Sequence, residues 1–87
     1  MKYSKYFGAV TRDKGRLNLS AQQFQRLMNI VFLEGSISGM NKAKETYKGT
    51  GEYYRYDLLI FKQDKQLTEV TGNLEPSDLL KEMYRFD

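Results

Sequence analysis

Lys48 to Phe61 reads KGTGEYYRYDLLIF. Two glycines lead into three tyrosines around an arginine, and then into an unbroken apolar run. From Glu52 onward Tyr54, Tyr56, Leu58 and Ile60 alternate with Tyr53, Arg55, Asp57, Leu59 and Phe61, which predicts a half-buried strand with the first set facing the core. Gln63 to Gln66 is the expected turn, Leu67 to Thr71 a short second strand, and Gly72-Asn73 its end.

Outward from this stretch the helical signals are stronger. Ser20 can accept from the backbone N–H of Gln23 while the Gln23 side chain reaches back, and Leu19 can staple onto Phe24, so a helix starts here. Phe24, Leu27, Met28, Val31 and Phe32 recur at helical spacing and are read as core. Gly35 and Gly39 favour a break or kink, with a short helix from Met40 to Tyr47 beyond it, because two mid-helix glycines cost roughly 1 kcal/mol each relative to alanine. Pro76 suits a first helical position, with Leu74 stapled onto Leu79 and an apolar stripe of Leu79, Leu80, Met83 and Phe86. Tyr6 to Thr11 and Arg16 to Leu19 form an expected hairpin around Arg12-Asp13-Lys14-Gly15. The resulting fold is α+β, one small domain over residues 1–87 with an antiparallel sheet and two main helices on one face, in β-β-α-β-β-α order.

Composition removes most small-enzyme chemistry. The 87 residues contain neither cysteine nor histidine. Disulfides, thiolate or imidazole metal sites and Ser-His or Cys-His nucleophile systems are therefore excluded. Glu52 with Asp57, or Asp64 with Glu69, lack the loop pattern of a calcium site, so no cofactor or metal is expected. Nor is an enzyme expected, since no acid-base constellation is evident. The apolar run Ile30 to Leu33 is far short of the roughly 20 residues of a membrane span, and Lys2 and Lys5 are followed by no apolar leader. The expected location is cytoplasmic, with no membrane partner.

The net charge of +3 is unevenly spread. Residues 1–16 carry Lys2, Lys5, Arg12, Lys14 and Arg16 against Asp13 alone, whereas residues 52–87 carry five bases and eight acids. A phosphate cradle needs glycines that open a helix after a strand, and here they are expected to open a strand. An RNP1-type RNA platform is not matched either, because Gly51 is followed by Glu52 and no companion aromatic strand is evident near the N-terminus.

What remains is a recognition surface. Tyr3, Tyr6, Arg12, Tyr53 and Arg55 are the candidate partner contacts, since tyrosine and arginine concentrate at protein interfaces. The leading expectation is a non-catalytic protein-binding module, in the format of small phage or mobile-element inhibitors that cover a host enzyme or immune complex. The alternative is a nucleic-acid binder using Lys2, Lys5, Lys14, Arg16, Lys42, Lys44 and Lys48, whose affinity would fall steeply with salt. A second alternative is an oligomer-forming subunit that admits a second copy along Gly35 and Gly39.

Overall fold

A computed structural model describes residues 1–14 and 18–85. It contains four helices, α1 (Lys2–Lys14), α2 (Ala21–Thr46), α3 (Gly51–Thr71) and α4 (Pro76–Arg85). Among the described residues there is no strand, so the expected α+β sheet is corrected to an all-helical architecture. No helix among them is long and apolar enough to cross a membrane.

The correction centres on α3. Its half-buried residues are Tyr53, Tyr56, Ile60, Gln63, Leu67 and Val70, spaced three and four apart in alternation. This is the repeat of a coiled-coil seam, and Tyr56 and Ile60 belong to it as well as to the expected two-residue alternation. Between Gly51 and Gly72 the chain has no glycine, proline or asparagine, so Asp64 is the one turn-favouring residue in Gln63 to Gln66, and the helix runs through it. Gly72 (φ 63°) and Asn73 (φ 60°) then stop it in left-handed conformations, ending a helix where the sequence reading has them end a strand.

α2 supplies the matching line. Arg26, Ile30, Leu33, Ile37, Met40 and Lys44 recur at four and three residues, and all are buried or half-buried. Their antiparallel pairing with α3 is pinned at one end by Arg26, whose guanidinium donates to the Val70 carbonyl at 2.9 Å, and at the other by the Lys44 Nζ to Asp57 contact of 3.0 Å. α2 is unbroken through Gly35 and Gly39, contrary to the expected break and second helix from Met40, because a break would separate Ile30 and Leu33 from Ile37 and Met40 along the seam. The two helices join through a tight turn in which Thr50 N–H donates to the Tyr47 carbonyl at 3.0 Å and Gly49 adopts φ 86°. KGTG is therefore the tip of a helical hairpin.

Helices α1 and α4 close the opposite end. Tyr3 and Phe7 of α1 pack with Leu27 and Ile30 of α2 and with Leu79, Leu80 and Met83 of α4. The expected strand Tyr6 to Thr11 is thus helix, with Tyr3, Phe7 and Val10 forming its inner stripe. The proposed hairpin tip at Gly15 and the start of its second strand lie outside the described residues, as does Phe86. Ser20 caps α2 as expected, accepting from Gln23 N–H at 3.2 Å, while Gln23 Oε1 is buried without a hydrogen-bond partner. Pro76 begins α4 and Leu79, Leu80 and Met83 are buried, also as expected. The hairpin extends beyond this body, and the molecule measures 46 × 24 × 20 Å.

Candidate functional site

A buried carboxylate fixes α1 on α2. Glu34, on the same side of α2 as Leu27 and Ile30, accepts from Tyr3 N–H at 2.9 Å, from Ser4 N–H at 2.7 Å and from Ser4 Oγ at 2.6 Å. It thereby satisfies free donors of the α1 N-terminus and meets the positive end of that helix dipole. The Tyr3 hydroxyl donates to the Leu74 carbonyl and ties α1 to the turn before α4. These groups are engaged in structural hydrogen bonds, with Glu34 at the wall of an open cleft that it shares with Ile37, Ser38 and Asp64.

The expected contact residues do not form one surface. Tyr3 is in the core, 4% exposed, and Tyr6 is half-buried against Phe7, with ring centroids 6.1 Å apart. Arg12 is exposed on α1. Tyr53 is half-buried in the hairpin seam under the Lys44 ammonium, 5.0 Å from its ring centroid, and Arg55 is exposed with Glu52 3.7 Å away. Since Tyr3 is held at Glu34 and Tyr53 at Lys44, the two groups stand about 15 Å apart along α2.

The basic residues are also dispersed. Lys2 pairs with Glu75 at 3.6 Å, and Lys44 is committed to Asp57 and the Tyr53 ring. The hydrogen bond to Asp57 holds the Lys44 ammonium above the ordinary lysine value of 10.5. Lys5, Lys42 and Lys48 are exposed on α1, on α2 and at the hairpin tip, Lys14 closes α1, and Arg16 lies outside the described residues. Glu52 and Asp57 each face a base, and no metal-holding cluster of acids is present among the described residues.

Sequence reasoning missed the outer faces of the hairpin. Tyr54, Leu58 and Phe61 are 72%, 55% and 68% exposed. At 100° per residue they lie roughly 130–180° around α3 from the centre of its seam, on positions that coiled coils ordinarily give to polar residues. Asp57 and Asp64 border this stripe on one side, Arg55 and Lys62 on the other. On α2, Phe24, Met28 and Phe32 are exposed as well, Phe32 by 69%, which corrects their expected place in the core. The line Ile30, Leu33, Ile37 and Met40 wins the inner side because it continues along the whole hairpin, whereas the line of Phe24, Met28 and Phe32 runs out at Gly35 and Gly39. At these two glycines the outer surface of α2 is open, with nothing within 4 Å of where a Cβ would stand. The signal for the α3 stripe was the i, i+4, i+7 spacing of Tyr54, Leu58 and Phe61, visible once the segment is read as a helix.

No protein-family model, no curated protein and no solved structure matches the chain.

Proposed function

We propose that this chain is a non-catalytic protein-binding module of the cytoplasm whose contact face is the outer side of α3, formed by Tyr54, Leu58 and Phe61 with Arg55 at its edge. The observation that carries the reading is the apolar stripe on solvent-facing positions of a hairpin whose own seam is already filled. Three large apolar side chains in line on one helix suit the helix-in-groove mode of recognition, in which anchors at i, i+4 and i+7 enter a partner's pockets. Aromatic anchors also give area at small conformational cost, and Arg55 supplies a polar rim. Such a module acts by occupying a partner's surface, which suits a small inhibitor of a larger enzyme or complex in the manner of phage and mobile-element proteins.

The test is capture from cell lysate by the tagged chain, with and without nuclease, at low and moderate salt, in parallel with Phe61→Asp and Leu58→Asp. A defined protein that survives nuclease and is lost by both variants, with helicity unchanged, is the expected result. Partners lost with nuclease and salt, and kept by both variants, would overturn the reading in favour of nucleic acid bound through the lysines.

A further inference from the structure

The charges beside the stripe point to its occupant. Tyr54, Leu58 and Phe61 are spaced four and three apart, so they make a second short coiled-coil seam on the back of α3. Relative to that seam, Asp57 and Asp64 form an acidic edge, and Arg55 and Lys62 a basic one. Two copies packed face to face along it have two symmetric arrangements. With the α3 helices antiparallel, like edges meet, Asp57 facing Asp64 and Arg55 facing Lys62 of the second copy. With the helices parallel about a two-fold axis along them, Asp57, which also accepts from Lys44 of its own copy, falls five residues before Lys62 of the second copy, the offset at which flanking charges pair in parallel coiled coils, while Asp64 meets Glu69 only at the edge of the contact, beside Lys65.

We propose that the stripe binds a second copy of this chain, the two α3 helices lying parallel and in register at Tyr54, Leu58 and Phe61. The proposal rests on the reading of this stripe as a protein-contact face and names its partner. The stripe side remains open down to the body, since Lys65, Thr68 and Glu69 are all exposed, so neither α1 nor α4 obstructs the approach. Lys65 is next on the line, where it meets its own copy across the two-fold and ends the apolar contact. The contact is therefore small. Two aromatic rings at these exposures leave on the order of 300 Å² per copy in water, below the roughly 800 Å² per partner of a standard interface. A reversible dimer in the micromolar range or weaker follows.

Sedimentation equilibrium up to about 500 µM tests this. Wild type is expected to shift reversibly toward dimer with concentration, and Phe61→Asp to stay monomeric with unchanged helicity. Lys65→Leu, which extends the stripe by one turn, is expected to tighten the dimer about tenfold or more. Because the chain has no cysteine, orientation is read directly. Oxidised Lys65→Cys is expected to form a disulfide-linked homodimer at low concentration. An equal mixture of Lys65→Cys with Gly51→Cys is expected to give that same homodimer rather than the cross-linked heterodimer of an antiparallel pair. Monomers throughout for both wild type and Lys65→Leu, or predominance of the heterodimer, would overturn the proposal. A monomeric wild type that still captures a lysate protein in a Phe61-dependent way would remove the second copy as occupant and leave the protein-binding reading standing.

Discussion

The α2/α3 hairpin is held differently at its two ends. Near the body, α2 buries Leu27, Ile30, Leu33 and Glu34, and α3 buries Thr71, with Leu27 and Ile30 in the cluster that α1 and α4 complete. Past Glu34 on α2, and before Thr71 on α3, neither helix has a fully buried residue. There the pairing rests on a half-buried seam, a Tyr47–Tyr56 stack at 5.7 Å and the Lys44–Asp57 contact at the edge. Helices gain most of their stability in proteins by burying a face, and two short helices alone are marginal in water. The distal end is thus carried by continuity with the proximal core, which leaves its outer residues uncommitted to folding and available for contact. Amide exchange should separate the ends, with distal protection well below that of the amides around Ile30 and Leu79.

The largest expected effect comes from removing proximal packing. Ile30 is fully buried where all the core helices converge, so Ile30→Ala should cost about 2–5 kcal/mol and lower the melting of the whole chain. An equivalent loss confined to the distal amides would contradict the division. Next is Glu34→Ala, expected to cost about 1.5–3 kcal/mol because charge-assisted bonds to Tyr3 and Ser4 are lost and donors are left at a buried helix end. Glu34→Gln should cost less, since it keeps an acceptor without the charge. Chemical denaturation gives both values, and exchange should show α1 loosening first.

Gly35→Ala and Gly39→Ala act on the other half, with opposite sign. Both glycines are helical, with open space around them, so alanine should stabilise by roughly 0.5–1 kcal/mol each. A destabilisation at either would mean that α2 bends there after all, and so would revive the break that the sequence suggested.

That disagreement shows where the sequence was ambiguous. Ser20 and Pro76 were legible, and Gly72-Asn73 as a stop though not the kind of element it stops, because capping and stopping are local chemistry, satisfied by a few neighbouring backbone groups. Tyr53 to Phe61 misled because the aromatic residues are good strand formers and the two-residue alternation happens to share Tyr56 and Ile60 with the seam. Only the continuation to Gln63, Leu67 and Val70 separates the periods, and a turn at Gln63–Gln66, for which Asp64 is the one favouring residue, splits that continuation. For α2 the helix was legible but its inner side was not. Apolar residues occupy most of its circumference, and the choice between Ile30–Leu33 and Phe24–Met28–Phe32 depends on what packs against it. The candidate stripe inherited both difficulties, since Tyr54 and Leu58 become outward-facing only once α3 is a helix.

The smallest expected effect is electrostatic and confined to the distal end. Lys44 is held above its ordinary value of 10.5 chiefly by its hydrogen bond to Asp57, so the folded hairpin binds that proton more tightly than the unfolded chain does. The stabilisation is fully present below the unfolded value and is lost as pH rises through the raised folded value. At alkaline pH the distal amides should therefore lose protection before the proximal ones. Alkaline destabilisation of the whole chain does not by itself report on Lys44. Lys44→Met keeps the apolar stem beside Tyr53 while removing the ammonium, and the difference between its pH profile and that of wild type isolates the pair. Equal profiles would assign the distal hold to the seam alone. A difference that disappears in high salt would place the contact among screened surface pairs. A difference that persists in salt would mean that Lys44, only 17% exposed at its side chain, is sheltered enough to act as part of the seam.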